Sequence, residues 1–204
     1  YTLSLHDALP IYYALRPSSL YRSRPVIYVG GESEPARALV ADHGDVWFIN
    51  GQPLDDVAGL IADVASRSRA GAPLRFGLSA FVVARETQAE AQAAYERLLA
   101  LSKKDAPIKA IQKQNTDPKV VMMQTMQKSA RVGSNGGTAA GLVGSYEEVA
   151  TRIKAFHAAG IELFMLQFQP FEAEMERFAR EVIPRVREWA PVATAGAPAH
   201  AVAR

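Results

Sequence analysis

The stretch RPVIYVGGESEPAR, residues 24–37, combines residue types that could bind an anion. A short apolar run ends at Gly30 and Gly31, and Ser33 then precedes a helical pattern with Pro35 in its first turn. Glycine lets the backbone approach an anion closely, and the N–H groups that open a helix have no partners inside it. The same residue types also form plain tight turns. From these residues alone, a phosphate-binding turn and a plain turn both remain open.

Strand and helix patterns alternate along the chain and must position this turn. Short β-branched and aromatic runs predict strands at residues 26–29, 45–50, 74–84 and 161–168. Helical patterns lie at about 34–43, 53–70, 88–101, 118–128, 146–159 and 171–189. The alternation predicts an α/β fold with parallel strands joined by right-handed helical crossovers, either a doubly wound sheet or part of a (β/α)8 barrel. Four strand–helix units would make half of such a barrel.

Composition and charge exclude several classes of function. The 204 residues are 49% hydrophobic and 22% charged, as in an ordinary globular protein, and 23 basic residues are interspersed with 21 acidic ones. We therefore expect neither nucleic acid nor a membrane as partner. Cysteine is absent, so disulfides and thiolate metal sites are excluded, and no metal is expected. With no signal-peptide pattern, these features favour a cytoplasmic protein.

The two ends of the chain differ from the remainder. One reverse translation of YTLSLHDALPI, residues 1–11, resembles a common short-read sequencing adapter along its whole length. We therefore expect residues 1–11 to be an artefact and an N-terminal part of the protein to be missing. Residues 190–204 are rich in Ala and Pro and are expected to form a disordered tail. The folded domain is accordingly predicted to span residues 12–189.

Four longer segments resemble one protein family. These segments are RPVIYVGGESEPARALVADHGDVWFINGQP, RFGLSAFVVARETQAEA, GLVGSYEEVATRIKAFHAAGIELFMLQFQP and EMERFAREVIP. In order and spacing they resemble segments of the bacterial luciferase-like flavin monooxygenases, and among these the dimethyl sulfone and alkanesulfonate monooxygenases. The resemblance implies the C-terminal half of a (β/α)8 TIM barrel. It also implies an enzyme that receives reduced FMN (FMNH2) from a separate NAD(P)H-dependent FMN reductase and uses O2 to oxygenate a small organosulfur substrate. The full-length protein is expected to be a homo-oligomer.

Two alternatives to this enzyme remain. A coenzyme F420-dependent oxidoreductase could use the same barrel. A half-barrel could also be inert by itself, because it has two open strand edges and lacks the flavin contacts of the other half. We expect the 204-residue chain alone to be inactive for this reason.

The resemblance assigns the turn after the first strand to the cofactor. In this family the Gly-Gly-x-Ser turn contacts the FMN phosphate, which implies cofactor binding by Gly30, Gly31 and Ser33. Glu32 is unexpected in such a turn, because its carboxylate would repel a phosphate unless it points away.

The resemblance also assigns substrate contacts to the later strands. Alkanesulfonate enzymes carry an arginine and a histidine at the positions of Ser79 and Phe81, and commonly a tyrosine at that of Gln169. A sulfonate in a dry pocket needs a cation, whereas a sulfone does not, so a sulfone is favoured. Ser79, Phe81 and Gln167 are the predicted substrate-pocket residues, and Gln169 is a predicted catalytic residue. The two glutamines could equally be exposed polar side chains without a role.

A glycine-rich loop, residues 133–141, occupies the place of a mobile lid in the family. Such a lid excludes water from the reacting flavin. Related sulfonate enzymes place an arginine at this loop, and Arg131 lies just before it. We predict a catalytic role for Arg131, although Asn135 aligns about as well and Arg131 could instead be a solvated charge.

Overall fold

The computed structural model of the protein describes residues 24–105, 107, 110, 111, 114, 115 and 132–187. The elements in chain order are β1 (Tyr28–Gly30), α1 (Glu34–His43), β2 (Val46–Asn50), α2 (Leu54–Ala65), β3 (Arg75–Phe81), β4 (Val83–Arg85), α3 (Gln88–Ser102), β5 (Val143–Ser145), α4 (Tyr146–Ala158), β6 (Ile161–Gln167), α5 (Phe171–Glu181) and α6 (Ile183–Arg187). Short 3-10 helices span Lys103–Asp105 and Gly137–Ala140. The predicted helix at 118–128 lies outside the described residues.

Four parallel strands form the main sheet in the order β1-β2-β3-β6. The register pairs Gly30 with Phe48 and Asn50 with Ser79, and Ser79 in turn with Met165. Helices lie between consecutive strands of this sheet, as the alternation in the sequence predicted. The α/β class with parallel strands is thereby confirmed.

The two faces of the main sheet have different neighbours. Trp47, Ile49 and Leu78 are fully buried on one face, in a core shared with α1, α2 and α4. Because side chains alternate along a strand, Phe48 and Ser79 lie on the opposite face, which we call the inner face. Gln167 pairs with Phe81 and belongs to the same inner face.

Local sequence signals account for the starts of two helices. Thr87 and Glu90 form a capping box at the start of α3, and Ser145 and Glu148 form another at the start of α4. The predicted second helix ends earlier than expected, at Ala65 rather than near Gly71.

The predicted strand at residues 74–84 is two strands in two different sheets. After β3 the backbone N–H of Val82 donates to the carbonyl oxygen of Gln167 at 3.0 Å, whereas that of Val83 donates to Leu142 at 2.9 Å. The chain thereby leaves the main sheet, and β4 pairs in parallel with β5, a strand that the sequence analysis did not predict. The last predicted helix likewise divides at Val182 into α5 and α6.

The outer edges of β1 and β6 pair with no strand among the described residues. Tyr28 on β1 is 57% exposed and Met165 on β6 is 47% exposed, so apolar side chains meet solvent at both edges. Within the described ranges, no helix has the length and apolar character needed to cross a membrane.

Candidate functional site

The carboxyl ends of the main-sheet strands lie together at one rim, because every pairing in that sheet is parallel. In parallel α/β folds this rim is where binding sites form. The predicted site residues that the structure describes all lie at this rim or in the loops that leave it: Gly30, Gly31, Ser33, Ser79, Phe81, Gln167 and Gln169. Arg131 lies outside the described residues.

The turn after β1, residues 30–33, is tied to β2. Gly31 has a φ of +101°, which favours glycine. The indole N–H of Trp47 donates to the carbonyl oxygen of Gly31 at 2.8 Å. A Cβ atom on Gly31 would lie 3.3 Å from that of Ala36, so the turn also packs closely on α1. The backbone of this β1 turn is therefore held from both sides.

Ser33 occupies the N-cap position of α1, as predicted, but its hydroxyl makes no capping hydrogen bond. Its backbone carbonyl accepts the first helical hydrogen bond, from Arg37 at 2.9 Å. The N–H groups of the first turn have no acceptor inside the helix, and the helix dipole adds partial positive charge there. An exposed hydroxyl and the backbone amides at this end of α1 form an arrangement that can receive an anion.

The Glu32 carboxylate is directed to β2. Its side chain is buried, with 6% exposed, and Oε1 accepts the backbone N–H of Asn50 at 2.8 Å. Burial raises the pKa of Glu32, while hydrogen bonds from Asn50 and Gln52 and the charge of Arg37 oppose part of that rise. The repulsion expected between Glu32 and a phosphate is therefore reduced, because the carboxylate is directed to the backbone of Asn50.

Glu34, the other acidic residue beside the β1 turn, is paired with arginines. Both terminal nitrogens of Arg67 donate to its carboxylate, at 2.7 and 2.8 Å, and Arg37 lies 3.2 Å away. The hydrogen bonds from Arg67 lower the pKa of Glu34. Two guanidinium groups thus offset the charge of Glu34 at the start of α1.

The glycine-rich loop is folded onto the rim. Its residues Gly137–Ala140 form a 3-10 helix, and Gly136 has a φ of +86°. A Cβ atom on Gly136 would lie 2.6 Å from the Cα of Gly51 and still closer to the N and O atoms of that residue. The N–H of Gly51 donates to the carbonyl oxygen of Asn135 at 2.9 Å. The segment that was predicted to be a mobile lid is therefore closely packed against the end of β2.

The Gln167 amide joins this loop to two strands. Its Oε1 accepts the backbone N–H of Ser134 at 3.2 Å and the hydroxyl of Ser134 at 3.1 Å. Its Nε2 donates to the Ser134 carbonyl at 3.3 Å and to the Ser79 hydroxyl at 3.4 Å. Gln167 is thus occupied by protein groups in this conformation.

Ser79 and Phe81 lie beneath the loop. Ser79 is 3% exposed and Phe81 is 6% exposed. Phe81 packs in a small core with Val83 and Ala94, and a Cβ atom on Gly133 would lie 2.6 Å from its Cδ2. Both side chains are therefore largely shielded from solvent in this conformation. Gln169, by contrast, is exposed at the rim just beyond β6.

The sequence analysis missed Asn50 and Gly51 and treated Glu32 only as an obstacle. One signal in the sequence could have indicated these residues. A short stretch with polar residues and glycine, INGQ, directly follows the apolar run VWF, just as GGES follows the apolar run of β1. No local pattern could show that the Glu32 side chain would meet the backbone of Asn50.

Two clefts lie elsewhere on the described surface. One, of about 450 Å3, is lined by Gln88, Val143 and Arg152 among others, and the second, of about 400 Å3, by Arg85 and Arg97 among others. Neither is lined by a predicted site residue. In the part of the chain that the structure describes, no group of three or more His, Cys, Asp or Glu residues could hold a metal ion.

The sequence profile of the luciferase-like monooxygenases matches residues 10–163. The chain belongs to the luciferase-like monooxygenase family. It is 30% identical over 183 residues to an FMNH2-dependent dimethylsulfone monooxygenase from Pseudomonas putida, covering 86% of this chain and 50% of that protein. It is 34% identical over 179 residues to a sulfoquinovose monooxygenase from Novosphingobium aromaticivorans, covering 79% of this chain and 49% of the relative. The chain spans about half the length of the curated relatives it matches.

Solved structures of this family share the fold. DmoA from Hyphomicrobium sulfonivorans superimposes with a TM-score of 0.57 at 18% identity, covering 80% of this chain and 41% of that chain. A long-chain alkane monooxygenase gives a TM-score of 0.56 at 19% identity, with the same 80% and 41% coverage. At this identity the likeness concerns the fold alone. It confirms the predicted partial (β/α)8 barrel, since less than half of each larger chain is matched.

Proposed function

We propose that this luciferase-like chain forms the flavin-phosphate side of an FMNH2-dependent monooxygenase that oxygenates a small organosulfur compound with O2. The observation that carries the proposal is the β1 turn, where Gly30, Gly31 and Ser33 adjoin the start of α1 at the carboxyl rim. Relatives named as FMNH2-dependent dimethylsulfone monooxygenases, at 30% and 31% identity, support the choice of cofactor.

The proposed phosphate contacts come from the backbone and one hydroxyl. Glycine at positions 30 and 31 leaves no side chain between the turn and an incoming phosphate. The Ser33 hydroxyl is not used in capping, so it can donate to a phosphate oxygen together with the first amides of α1. The two nearby carboxylates do not oppose this, because Glu32 bonds to Asn50 and Glu34 is paired with Arg67.

The proposed substrate is a neutral sulfone rather than a sulfonate. Ser79, Phe81 and Gln167 lie on the inner face at the rim, and all three are uncharged. A sulfonate desolvated at this place would lack a cation from these positions. We propose that the glycine-rich loop must leave the rim to admit substrate, since it now covers Ser79 and Phe81. Gln169 and Arg131 are the proposed catalytic residues.

The proposed partner is an NAD(P)H-dependent FMN reductase in the cytoplasm, which would supply the reduced flavin. The complete enzyme is proposed to be a homo-oligomer with a closed barrel. The outer edges of β1 and β6, which pair with no strand among the described residues, support the view that this chain alone does not form the whole active site.

Comparing FMN with riboflavin tests the phosphate contact, because the two differ only in the phosphate. We expect Ser33→Ala to weaken FMN binding about tenfold, the equivalent of one hydrogen bond to a charged group, and to leave riboflavin binding unchanged. Flavin fluorescence quenching on titration with the chain measures both affinities. Ser66→Ala is the matched control, since the Ser66 hydroxyl bonds only locally, to the Asp63 carbonyl at 2.7 Å. Equal binding of FMN and riboflavin to the unaltered chain would refute the phosphate site.

A further inference from the structure

Two loops at the rim bind successive backbone amides at the end of β2. The N–H of Asn50 donates to Glu32 Oε1 at 2.8 Å, and the N–H of Gly51 donates to the Asn135 carbonyl at 2.9 Å. One acceptor belongs to the β1 turn and the other to the glycine-rich loop. A rotation of the Asn50–Gly51 backbone would therefore disturb both loops together.

The burial of Glu32 indicates that its placement is specific. A carboxyl group with 6% exposure is costly to bury, and an apolar side chain would fill the same space at lower cost. What the carboxyl group adds is a directed acceptor for Asn50, with the Gln52 amide and the charge of Arg37 as its other polar neighbours. Its side chain is thereby held in one orientation between the β1 turn and β2.

The hydrogen bonds continue beyond the Asn135 contact. The neighbouring residue Ser134 is bonded to the Gln167 amide through both its backbone and its hydroxyl, and Gln167 reaches Ser79. An unbroken series of contacts therefore links the β1 turn, the end of β2, the glycine-rich loop and the ends of β3 and β6. Glu32 is the side chain that connects the β1 turn to the end of β2 in this series, whereas Trp47 connects the turn to the middle of β2.

We propose that Glu32 is a positioning residue of the site: by binding the N–H of Asn50, it orients the Asn50–Gly51 backbone and so holds both the β1 turn and the glycine-rich loop at the rim. The inference rests on the proposed function for its significance, since the β1 turn is the proposed phosphate site. The geometric effect itself does not require a ligand.

Hydrogen–deuterium exchange on the full 204-residue chain tests this role. We expect Glu32→Ala to speed exchange about tenfold in peptides covering residues 30–37 and also in those covering 132–141, because one hydrogen bond to a carboxyl group is lost at their junction. Glu32→Gln keeps an acceptor oxygen at the same place and should restore slow exchange in both segments. Glu162→Gln is the control, since that carboxylate bonds to Arg75 at the opposite end of the sheet.

The exchange rates of the Glu32 variants decide whether the proposal holds. Faster exchange in both segments for Glu32→Ala, with rescue by Glu32→Gln, supports the proposal. Unchanged exchange at 132–141 in Glu32→Ala, or equal loosening in Glu32→Gln, overturns it. If near-ultraviolet circular dichroism shows that Glu32→Ala is unfolded, Glu32→Asp takes its place, because its shorter side chain withdraws the carboxylate from Asn50 while keeping the charge.

The same exchange measurement with added ligand tests the proposed phosphate site separately from the positioning role of Glu32. Inorganic phosphate or FMN added to the unaltered chain should slow exchange at residues 30–37 if the β1 turn binds phosphate. If neither ligand protects this segment while Glu32→Ala still loosens both loops, the phosphate site is wrong and the positioning role stands. If phosphate protects residues 30–37 but Glu32→Ala has no effect on residues 132–141, the phosphate site stands and the positioning role is wrong.

Discussion

Replacing Gly136 by alanine should release the glycine-rich loop from the rim. Gly136 has a φ of +86°, a conformation that residues with a Cβ atom rarely adopt. The added Cβ would lie 2.6 Å from the Cα of Gly51, with the backbone N and O atoms of Gly51 closer still. These obstructing atoms are backbone at the end of β2, so they cannot rotate away as a flexible side chain could.

Two costs combine in this substitution. The left-handed backbone conformation costs about 1–2 kcal/mol for alanine, and overpacking of this kind costs about 1–3 kcal/mol. We therefore expect the packed loop to be destabilised by about 2–5 kcal/mol. If undocking the loop costs less than this, the loop will leave the rim while the remaining fold persists, and that lower cost becomes the measured effect.

Hydrogen exchange of residues 132–141 and urea unfolding together measure the result. Gly59→Ala is the matched control, because Gly59 lies inside α2 and an added Cβ meets nothing within 4 Å. That change should stabilise the protein by about 0.5–1 kcal/mol, since alanine favours a helix over glycine. If Gly136→Ala leaves both the exchange of the loop and the free energy of unfolding unchanged, the described packing of the loop on Gly51 is wrong.

Two further predictions concern pH and turnover. The folded pKa of Glu32 is raised by burial, so its protonation adds stability that is complete below the unfolded pKa and is lost as pH rises through the folded pKa. The unfolding free energy of the unaltered chain relative to Glu32→Gln should therefore fall in urea titrations as the pH rises above the unfolded pKa of glutamate, about 4.3, and a rise in that free energy would contradict the assigned cause. With added FMN reductase, NADH, FMN and dimethyl sulfone, the 204-residue chain should release no oxygenated product, whereas sustained product formation would contradict the expectation that this chain is inactive by itself.

Local patterns in the sequence were sufficient for most of the elements and for the placement of the β1 turn at the rim. Capping signals act over three residues, so the starts of α3 and α4 could be predicted from Thr87 and Ser145 and their glutamate partners. The alternation of strands and helices predicted the parallel sheet. Because parallel strands share their direction, it also placed the β1 turn and Gln169 at one rim.

Contacts between distant residues were decided only by the tertiary structure. Glu32 meets Asn50 18 positions away, and Gln167 meets Ser134 33 positions away. The division of one apolar run into β3 and β4 likewise depends on Leu142, which takes the Val83 N–H out of the main sheet. Periodicity and capping describe interactions within one element, whereas these hydrogen bonds form only after separate elements have packed. The sequence by itself therefore determined most of the elements and the direction of the main-sheet strands, and the packing decided where β3 ends and which polar groups at the rim hold one another.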